Sequence, residues 1–557
     1  MKQSKLLIPT RQVADEEIDT VSERLLSQAG YVTKLARGIY AYLPLAERVI
    51  QKISRVIQSE LSTQDSIKMR MPNLLPHEYS LEECETQVAE KLFSVNDAAG
   101  ETYMLAPAHE RSFMDLIMKE VRSYKELPLS LFQTQMKYRD ETHKQRGLID
   151  SREFLMTDVY SFHADQESLD QFYRQMEESI ERILTTCGLT FKVVNGASKR
   201  VGAKAMREFI VPTAIGQKEF CYASEGEYAA TLAVAVSESD TKKSHATYQP
   251  LEEIAEFDIH TTPLNQTIKP LFYRVKEDLV VLLLRADHQV NEEKVKRFFQ
   301  VSSITPADQE TITFFFGDIQ TDDFFTTLNQ LPIYADQGLS ELVNAQFNSH
   351  MLARAYRNVN FNRDLQITQF LDIQLVKEGD LALNGQGTLI FDRGISVAQM
   401  TKLAPDYARQ VGAIFLDDQE QLQTLNMGYY GIGVTRIFAL IVELYAMEDK
   451  MCWPQAIAPF DVHILPLDIT DPFQVELATQ VALELDQAGY DLLIDDRETS
   501  AADKEHDAAL IGCPIQCTIG KKAVEGIVEL EIKAKQAVLE VRKEELLTTL
   551  SILLQSE

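Results

Sequence analysis

The chain has 557 residues, 45% of them hydrophobic and 25% charged, a composition typical of a globular protein with about three or four domains. Its formal net charge of −29 argues against a general nucleic-acid binder, so we expect no DNA partner. The sequence contains no run of about 18 apolar residues and opens on no signal-peptide segment, so we expect a cytoplasmic protein with no membrane partner.

The six cysteines are scattered along the chain and do not make a disulfide framework. Cys513 and Cys517 lack the second pair that a zinc knuckle needs, so we predict no metal site.

Apolar spacing predicts two long helices in the first half of the chain. Apolar residues recur at helical intervals from about Leu45 to Leu61, just after Pro44, and proline is tolerated at a helix start. A second helix is predicted from Asp165, a good N-cap residue, to Gly188, a good C′ residue. Between them, the apolar run Ser130–Gln135 predicts a strand.

The pattern changes between residues 225 and 384, where short apolar runs alternate with helical segments. Leu279–Leu284 and Thr311–Phe316 are predicted as strands and Asn291–Phe299 as a helix, which together indicate a compact inserted α/β unit. The tail, residues 460–557, alternates β–α–β–α and ends in a helix. It predicts a small α/β domain with a mostly parallel sheet.

Three segments carry a pattern that suits a bent ATP molecule. They are Tyr138-Arg139-Asp140-Glu141, Ser151-Arg152-Glu153-Phe154 and Gly431-Ile432-Gly433-Val434-Thr435-Arg436. Arg139 can grip the α-phosphate and Arg436 the terminal phosphate, while Glu141 can accept the adenine amine and Phe154 can stack on the base. No Gly-x-x-x-x-Gly-Lys-Ser/Thr loop occurs, which excludes a P-loop ATPase as far as a motif can.

These segments resemble motifs 2 and 3 of the class II aminoacyl-tRNA synthetases, specifically the bacterial prolyl-tRNA synthetases. Gly38–Leu45 resembles motif 1 of that class, and the similarity runs nearly end to end. The resemblance implies an α/β multidomain (α+β) fold. It consists of a class II antiparallel-sheet catalytic domain (1–224 and 385–456), an inserted α/β editing-like domain (225–384) and a C-terminal α/β anticodon-binding domain (460–557).

The resemblance also implies a two-step reaction on proline, ATP and tRNA(Pro). ATP with Mg²⁺ would activate proline to prolyl-adenylate, and the prolyl group would then pass to the 3′ end of the tRNA. Arg139 and Mg²⁺ would neutralise the charge that develops at the α-phosphate, so no protein nucleophile is needed. The family further implies a homodimer through motif 1 and hydrolysis of mischarged alanyl-tRNA by the insert.

Each site residue takes its expected role from the family's motifs. The resemblance assigns catalysis to Arg139, Glu141 and Arg436; ATP binding to Arg139, Glu141, Arg152, Phe154, Gly431, Gly433 and Arg436; amino-acid binding to Ala108, Glu110, Arg139 and Tyr429; tRNA acceptor-end binding to His143, Lys144 and Arg146; and editing to Lys269, Asp287 and His288.

Several positions depart from the family's pattern. Ala108 stands where the family's Thr-x-Glu has threonine, although Glu110 is kept. Asp150 stands where the family has an arginine that points at the γ-phosphate, and a carboxylate there would repel triphosphate unless it is metal-bridged or turned away. Arg152 could compensate for that change. In the amino-acid pocket, a glutamate, a histidine, an aromatic residue and a cysteine of the family are replaced by Ser396, Gln399, Thr401 and Tyr429.

Three hypotheses remain open from the sequence. The first is a working member of the family with an altered pocket, which the retained motif residues favour. The second is a divergent paralogue that uses ATP with another small amino acid, or with a carrier other than tRNA. The third is a non-catalytic regulator that binds tRNA or nucleotide on the same scaffold, which Asp150 and the high negative charge favour. Amino-acid-dependent ATP–pyrophosphate exchange separates the three.

Overall fold

The computed structural model describes residues 1–11, 20–79, 92–140, 146–197, 203–239, 246–254, 263–317, 324–403, 408–409, 412–446 and 450–554. The α-helices are α1 Val21–Gln28, α2 Pro44–Ser62, α3 Glu110–Glu120, α4 Gln166–Thr186, α5 Glu292–Phe299, α6 Gln309–Phe316, α7 Phe324–Leu328, α8 Val434–Tyr445, α9 Pro472–Gln487, α10 Ala501–Ile511 and α11 Leu546–Leu554. Within the described ranges, no helix is both long and apolar enough to cross a membrane.

The strands are mostly short. They are β1 Val32–Ala36, β2 Ile39–Tyr42, β3 Ile67–Lys68, β4 Leu74–Pro76, β5 Ser94–Asn96, β6 Thr102–Leu105, β7 Leu129–Tyr138, β8 Glu153–His163, β9 Lys192–Gly196, β10 Ala203–Pro212, β11 Lys218–Ala223, β12 Ala229–Thr231, β13 Glu252–Ile254, β14 Thr267–Val275, β15 Asp278–Arg285, β16 Gln289–Val290, β17 Thr305–Pro306, β18 Ile333–Asp336, β19 Ala345–Ser349, β20 Arg354–Val359, β21 Gln369–Leu371, β22 Gln374–Leu375, β23 Leu389–Leu403, β24 Ile414–Leu416, β25 Leu422–Thr424, β26 Asn426–Gly433, β27 Val462–Pro466, β28 Leu492–Ile494, β29 Ile515–Ile519, β30 Ile527–Ile532 and β31 Ala537–Arg542.

The chain divides into two compact units. The first comprises residues 1–192, 198–215 and 395–557, and the second comprises residues 193–197 and 216–394. The four residue ranges given for the domains from the sequence stay predictions.

An antiparallel sheet organises the first unit. Five of its strands are adjacent in the order β3-β7-β8-β26-β23, and among these pairings only β3–β7 is parallel. Helix α4 packs on one face, where the Tyr173 hydroxyl donates to the Met400 carbonyl at 3.1 Å. Helix α3 packs on the other face, where Phe113 stacks on Tyr160 with ring centroids 4.2 Å apart. A helix therefore packs on each face of the sheet.

The amphipathic helix predicted from Asp165 to Gly188 is confirmed as helix α4. The Asp165 carboxylate accepts a hydrogen bond from the Ser168 amide at 2.8 Å, as an N-cap residue does. Gly188 follows the C-cap residue Cys187 and has a φ of +85°, a left-handed conformation that glycine adopts without strain.

The tail forms the expected α/β domain, but its sheet is only half parallel. The order is β28-β27-β29-β30-β31, with parallel pairing on both sides of β27 and antiparallel pairing for β29–β30 and β30–β31. The last strand was not predicted, because Ala537–Arg542 is largely exposed and lacks a continuous apolar run. The short hairpin that it forms with β30 adds the antiparallel part of the sheet.

The second unit has an eight-stranded mixed sheet in the order β13-β20-β19-β14-β15-β18-β21, with β17 beside β14. The strand at Leu279–Leu284 and the helix at Asn291–Phe299 are confirmed by β15 and α5. The strand predicted at Thr311–Phe316 is wrong, since this segment belongs to helix α6. Its aromatic and β-branched residues mimic a strand, but Ile312 and Phe316 are buried at i, i+4 spacing while Phe314 is 92% exposed.

A buried aromatic cluster joins the tail domain to the rest of the first unit. The Trp453 ring stacks on Phe438 with centroids 5.5 Å apart, and its indole N–H donates to the Tyr31 hydroxyl at 2.8 Å. The Tyr31 hydroxyl in turn donates to the Ile511 carbonyl at 2.5 Å. Because all three groups lie in the interior, each hydrogen bond satisfies atoms that water does not reach.

Tyr31→Phe should lower the free energy of unfolding by about 1–3 kcal/mol, because it leaves the Trp453 indole N–H and the Ile511 carbonyl without a partner in the core. Urea unfolding can be followed by the fluorescence of Trp453, the single tryptophan of the chain. Tyr124→Phe, at an exposed tyrosine, is the matched control and should leave the transition in place. Equal transitions for the two variants would contradict this assignment.

Candidate active site

Strand register places the expected site residues on one face of the sheet. Opposite residues of an antiparallel pair point to the same face, and residues two apart on a strand share that face. One row across the sheet is Gln133, Asp158, Gly431 and Gln399, and Lys137 lies opposite Phe154 nearer one end. By the same alternation Tyr429 shares this face. The face is the one that carries helix α3.

Arg139 and Phe154 lie together at the end of strands β7 and β8. The Arg139 guanidinium lies 5.1 Å from the centroid of the Phe154 ring, within cation–π range. The Arg139 amide donates to the Arg152 carbonyl at 2.9 Å, which fixes the two strand ends against each other. The Arg152 guanidinium instead pairs with Asp140 at 3.3 Å. The two groups expected at the α-phosphate and the base are therefore neighbours.

The glycines of the third motif leave room that other side chains use. A Cβ added at Gly431 would overlap the Tyr429 hydroxyl and the Met156 methyl group, so a side chain there would displace Tyr429. Gly433 is the N-cap of helix α8, and a Cβ there would lie 3.2 Å from the Cβ of Arg436. Both glycines therefore act by leaving space for Tyr429 and Arg436.

Arg436 lies in the first turn of α8 and is held from two directions. Its guanidinium donates to the Ser396 carbonyl at 3.0 Å and to the Ile149 carbonyl at 3.3 Å, and it lies 3.7 Å from the Asp150 carboxylate. Arg146 donates to the same carboxylate at 2.6 Å. Asp150, expected to repel triphosphate, is therefore turned inward and bonded to arginine. Arg146, expected at the tRNA acceptor end, makes its hydrogen bond here.

A buried polar network supports the amino-acid end of this face. The Lys137 ammonium lies 2.5 Å from the Asp158 carboxylate, which also accepts a hydrogen bond from the Tyr429 hydroxyl at 3.2 Å. His109 contacts the Lys137 ammonium through Nδ1, which also contacts the Gln133 amide at 3.0 Å. Sequence reasoning missed this network. Lys137 is the single charged residue of β7, and Asp158 lies in the middle of β8, so a charged residue inside a predicted strand was the available signal.

The network also fixes the protonation state of His109. Burial, and then the nearby Lys137 ammonium, lower the pKa of His109 to about 4, so the ring is neutral at pH 7. Since the Lys137 ammonium can only donate, Nδ1 is the accepting nitrogen, and Nε2 carries the proton that it donates to the Pro72 carbonyl at 2.9 Å. Glu110, the next residue, begins helix α3 and is buried.

Two departures in the expected amino-acid pocket are neighbours. Thr401 of β23 lies directly opposite Tyr429 of β26, and both side chains are buried. A packed core tolerates best the combinations that conserve total volume. The small side chain at position 401 therefore accompanies the large side chain at position 429.

Three expected site residues, Glu141, His143 and Lys144, lie outside the described residues. The other expected residues of the first unit are all placed, and Ala108 is half-buried just before His109.

In the second unit, the three editing-like residues lie together. The Lys269 ammonium donates to the Ala286 carbonyl at 3.2 Å and to the His288 carbonyl, while Arg285 binds both oxygens of Asp287 at 2.8 and 2.7 Å. Burial lowers the pKa of Lys269, and burial together with Arg285 lowers the pKa of His288. Within the described residues, no group of three or more His, Cys, Asp or Glu side chains is arranged to hold a metal ion.

Lys137→Met should lower the free energy of unfolding by about 3–5 kcal/mol, because it leaves the Asp158 charge buried without its cation. Lys137→Met combined with Asp158→Asn should recover part of that loss, and urea unfolding measures both. The matched control is Lys402→Met, which breaks a more exposed pair with Asp170 (2.7 Å) and should cost about 1 kcal/mol or less. Similar losses for Lys137→Met and Lys402→Met would contradict the buried network.

His109 should make stability depend on pH. Its folded pKa of about 4 lies below the ordinary value of 6.5, so its contribution is complete above pH 6.5 and is lost as the pH falls towards 4. Between pH 7 and pH 5 the wild type should therefore lose about 2 kcal/mol more than His109→Gln, which has no titrating ring. Urea unfolding at the two pH values measures the difference. Equal losses would show that His109 titrates normally in the folded chain.

Comparison with known proteins identifies the family. Residues 93–445 match the model of the tRNA synthetase class II core domain (G, H, P, S and T), and residues 461–552 match that of the anticodon binding domain. A proline–tRNA ligase of Latilactobacillus sakei subsp. sakei is 37% identical and covers 100% of both chains. Another, from Ligilactobacillus salivarius, is 36% identical and covers 99% of both chains.

Solved structures agree at the level of the fold. A prolyl-tRNA synthetase of Cryptosporidium parvum, complexed with halofuginone and AMPPNP, superposes with a TM-score of 0.59 at 11% identity, covering 96% of this chain and 77% of that one. The same enzyme complexed with L-proline and AMP gives a TM-score of 0.58. The α/β multidomain class II fold expected from the sequence is thus confirmed, and the chain belongs to the proline–tRNA ligase family of class II aminoacyl-tRNA synthetases.

Proposed function

We propose that this chain is a proline–tRNA ligase that activates proline with ATP and transfers it to the 3′ end of tRNA(Pro). The observation that carries this proposal is the match, over the whole chain, to relatives named proline–tRNA ligase. Two features of the site support the same proposal. Arg139 lies beside Phe154, and the buried network of Lys137, Asp158 and His109 adjoins Glu110. The retention of both the catalytic core and the anticodon-binding domain favours this function over a non-catalytic regulator.

In the first step, a carboxylate oxygen of proline attacks the α-phosphorus of ATP and pyrophosphate leaves with the electrons of the broken P–O bond. Arg139 stabilises the negative charge that develops at the α-phosphate, and Mg²⁺ held by the phosphates of ATP would supply further positive charge there. Phe154 and Glu141 hold the adenine, and Arg152, Gly431, Gly433 and Arg436 complete the ATP site, with Arg436 at the terminal phosphate. Catalysis here is mainly positioning and charge neutralisation.

At the amino-acid end, Glu110 binds the ammonium group of proline, and Ala108 and Tyr429 line the pocket. The neutral His109 and the Lys137–Asp158 pair keep the start of helix α3 and the Tyr429 ring in fixed positions. Ala108 supplies no hydroxyl to share in binding the ammonium group. In the second step, a hydroxyl of the terminal ribose of tRNA attacks the acyl carbon and AMP leaves. His143, Lys144 and Arg146 are the residues proposed for the acceptor end.

The proposal extends to the assembly and the second unit. The chain acts as a cytoplasmic homodimer through motif 1, and residues 461–552 bind the anticodon arm of tRNA(Pro). In the second unit, Lys269, Asp287 and His288 are the residues proposed to hydrolyse mischarged alanyl-tRNA, and their mutual proximity supports this role.

ATP–pyrophosphate exchange should depend on proline, and Arg139→Ala should reduce it by about 10²-fold or more, because the α-phosphate loses its guanidinium. Exchange is measured with proline, alanine, cysteine and no amino acid. Arg182→Ala is the matched control, since Arg182 makes an exposed pair with Glu60 at 2.6 Å away from the site. Exchange with another amino acid alone would support a divergent paralogue. No exchange with any of the three amino acids would refute the proposed function.

A further inference from the structure

Asp150 is a buried carboxylate between two arginines. Its side chain is only 1% exposed, Arg146 donates to one oxygen at 2.6 Å, and Arg436 lies 3.7 Å from the other. A buried carboxylate is tolerated when cations and hydrogen bonds compensate its charge. The close partner is Arg146, four residues earlier across the single 3-10 turn Gly147–Asp150. The more distant partner is Arg436, which is proposed to meet the terminal phosphate.

The turn that carries Asp150 is fixed in place. Leu148 and Ile149 are buried, and the turn packs against helix α8, which carries Arg436. The Ile149 carbonyl accepts a hydrogen bond from Arg436, so the turn holds this guanidinium through its backbone as well as through Asp150. On the other side the Ser396 carbonyl accepts a third contact. Arg436 is therefore held by three groups while one third of its side chain remains exposed.

The charge balance explains why Arg146 accompanies Asp150. A carboxylate 3.7 Å from Arg436 and without another cation would cancel the positive charge that attracts triphosphate. Because Arg146 lies closer and donates directly, its charge offsets that of Asp150 first. The group of three keeps a net charge of one positive unit, and that unit belongs to Arg436. The Arg146–Asp150 pair is neutral as a whole, so it adds no net charge beside Arg436.

We propose that Arg146 and Asp150 are positioning residues, a neutral ion pair that orients Arg436 towards the terminal phosphates of ATP while preserving its charge. This inference rests on the proposed function for the identity of the nucleotide. It assigns Arg146 a task at the triphosphate end of the site in addition to the one suggested at the tRNA acceptor end. The two tasks differ in what the loss of Arg146 should weaken.

Equilibrium binding of MgATP and of AMP by calorimetry tests the pair without requiring turnover. Arg146→Gln should raise the dissociation constant of MgATP by about tenfold or more, because Asp150 then neutralises Arg436. AMP has no terminal phosphates, so its dissociation constant should change by less than about twofold. Arg146→Gln combined with Asp150→Asn should restore most of the MgATP affinity, since the uncompensated charge is removed. Arg146→Lys, which keeps the cation, should stay close to the wild type.

Each other result has a defined meaning. Equal weakening of MgATP and AMP, unchanged MgATP affinity in Arg146→Gln, or no recovery in the double variant would overturn the inference. If Arg146→Gln fails to fold, shown by the fluorescence of Trp453, the double variant and Arg146→Lys still decide the matter. Glu253→Gln, which breaks the Arg354 pair at 2.6 Å in the second unit, is the control. A wild type that binds MgATP but shows no exchange overturns the proposed function alone, whereas one that does not bind MgATP overturns both.

Discussion

The site depends on the buried ion pair between Lys137 and Asp158, which joins the neighbouring strands β7 and β8 of the catalytic sheet. Both charges lie in the interior, so each requires the other to offset the cost of its burial. Lys137 also contacts the His109 ring, and Asp158 accepts a hydrogen bond from the Tyr429 hydroxyl. His109 is directly followed by Glu110, and Tyr429 shares a strand with Gly431. One electrostatic contact therefore fixes the geometry of the amino-acid end of the site. A hydrophobic pair in its place would fill the same space but would offer no hydrogen bonds to hold the neighbouring polar groups.

The register of strand pairing is the second constraint, because it places residues from distant segments of the sequence on one face of the sheet. The strands β7, β8, β26 and β23 pair so that Gln133, Asp158, Gly431 and Gln399 form one row. A slip of one residue in any pairing would turn that strand's site residues towards helix α4. Tyr173 and the other core residues of α4 fill the opposite face and thus help to keep the register. Packing behind the sheet and chemistry in front of it are therefore parts of the same arrangement.

Three of the departures from the expected pattern, Asp150, Thr401 and Tyr429, lie beside a residue that shares a physical constraint with them. Thr401 and Tyr429 face each other across two strands, so a small side chain lies opposite a large one. Asp150 is paired with Arg146 beside Arg436, so its charge is balanced where it is buried. Packed volume constrains the first pair, and local charge constrains the second.

The sequence by itself determined the family, the class II fold and the amphipathic helix α4 with both of its caps, and it predicted the three segments of the ATP site. These features depend on local spacing and on motif residues, which are visible in one dimension. Tertiary structure decided the rest. Thr311–Phe316 is a helix because the burial of Ile312 and Phe316 outweighs its strand-like composition, and β31 forms because a partner strand is present. The Lys137–Asp158 network and the partners of Asp150 join residues that are brought together only by strand pairing and by the packing of a turn against helix α8. Sequence spacing carries no information about which side chain compensates a buried charge, because the energy of that charge is set by neighbours that folding alone supplies.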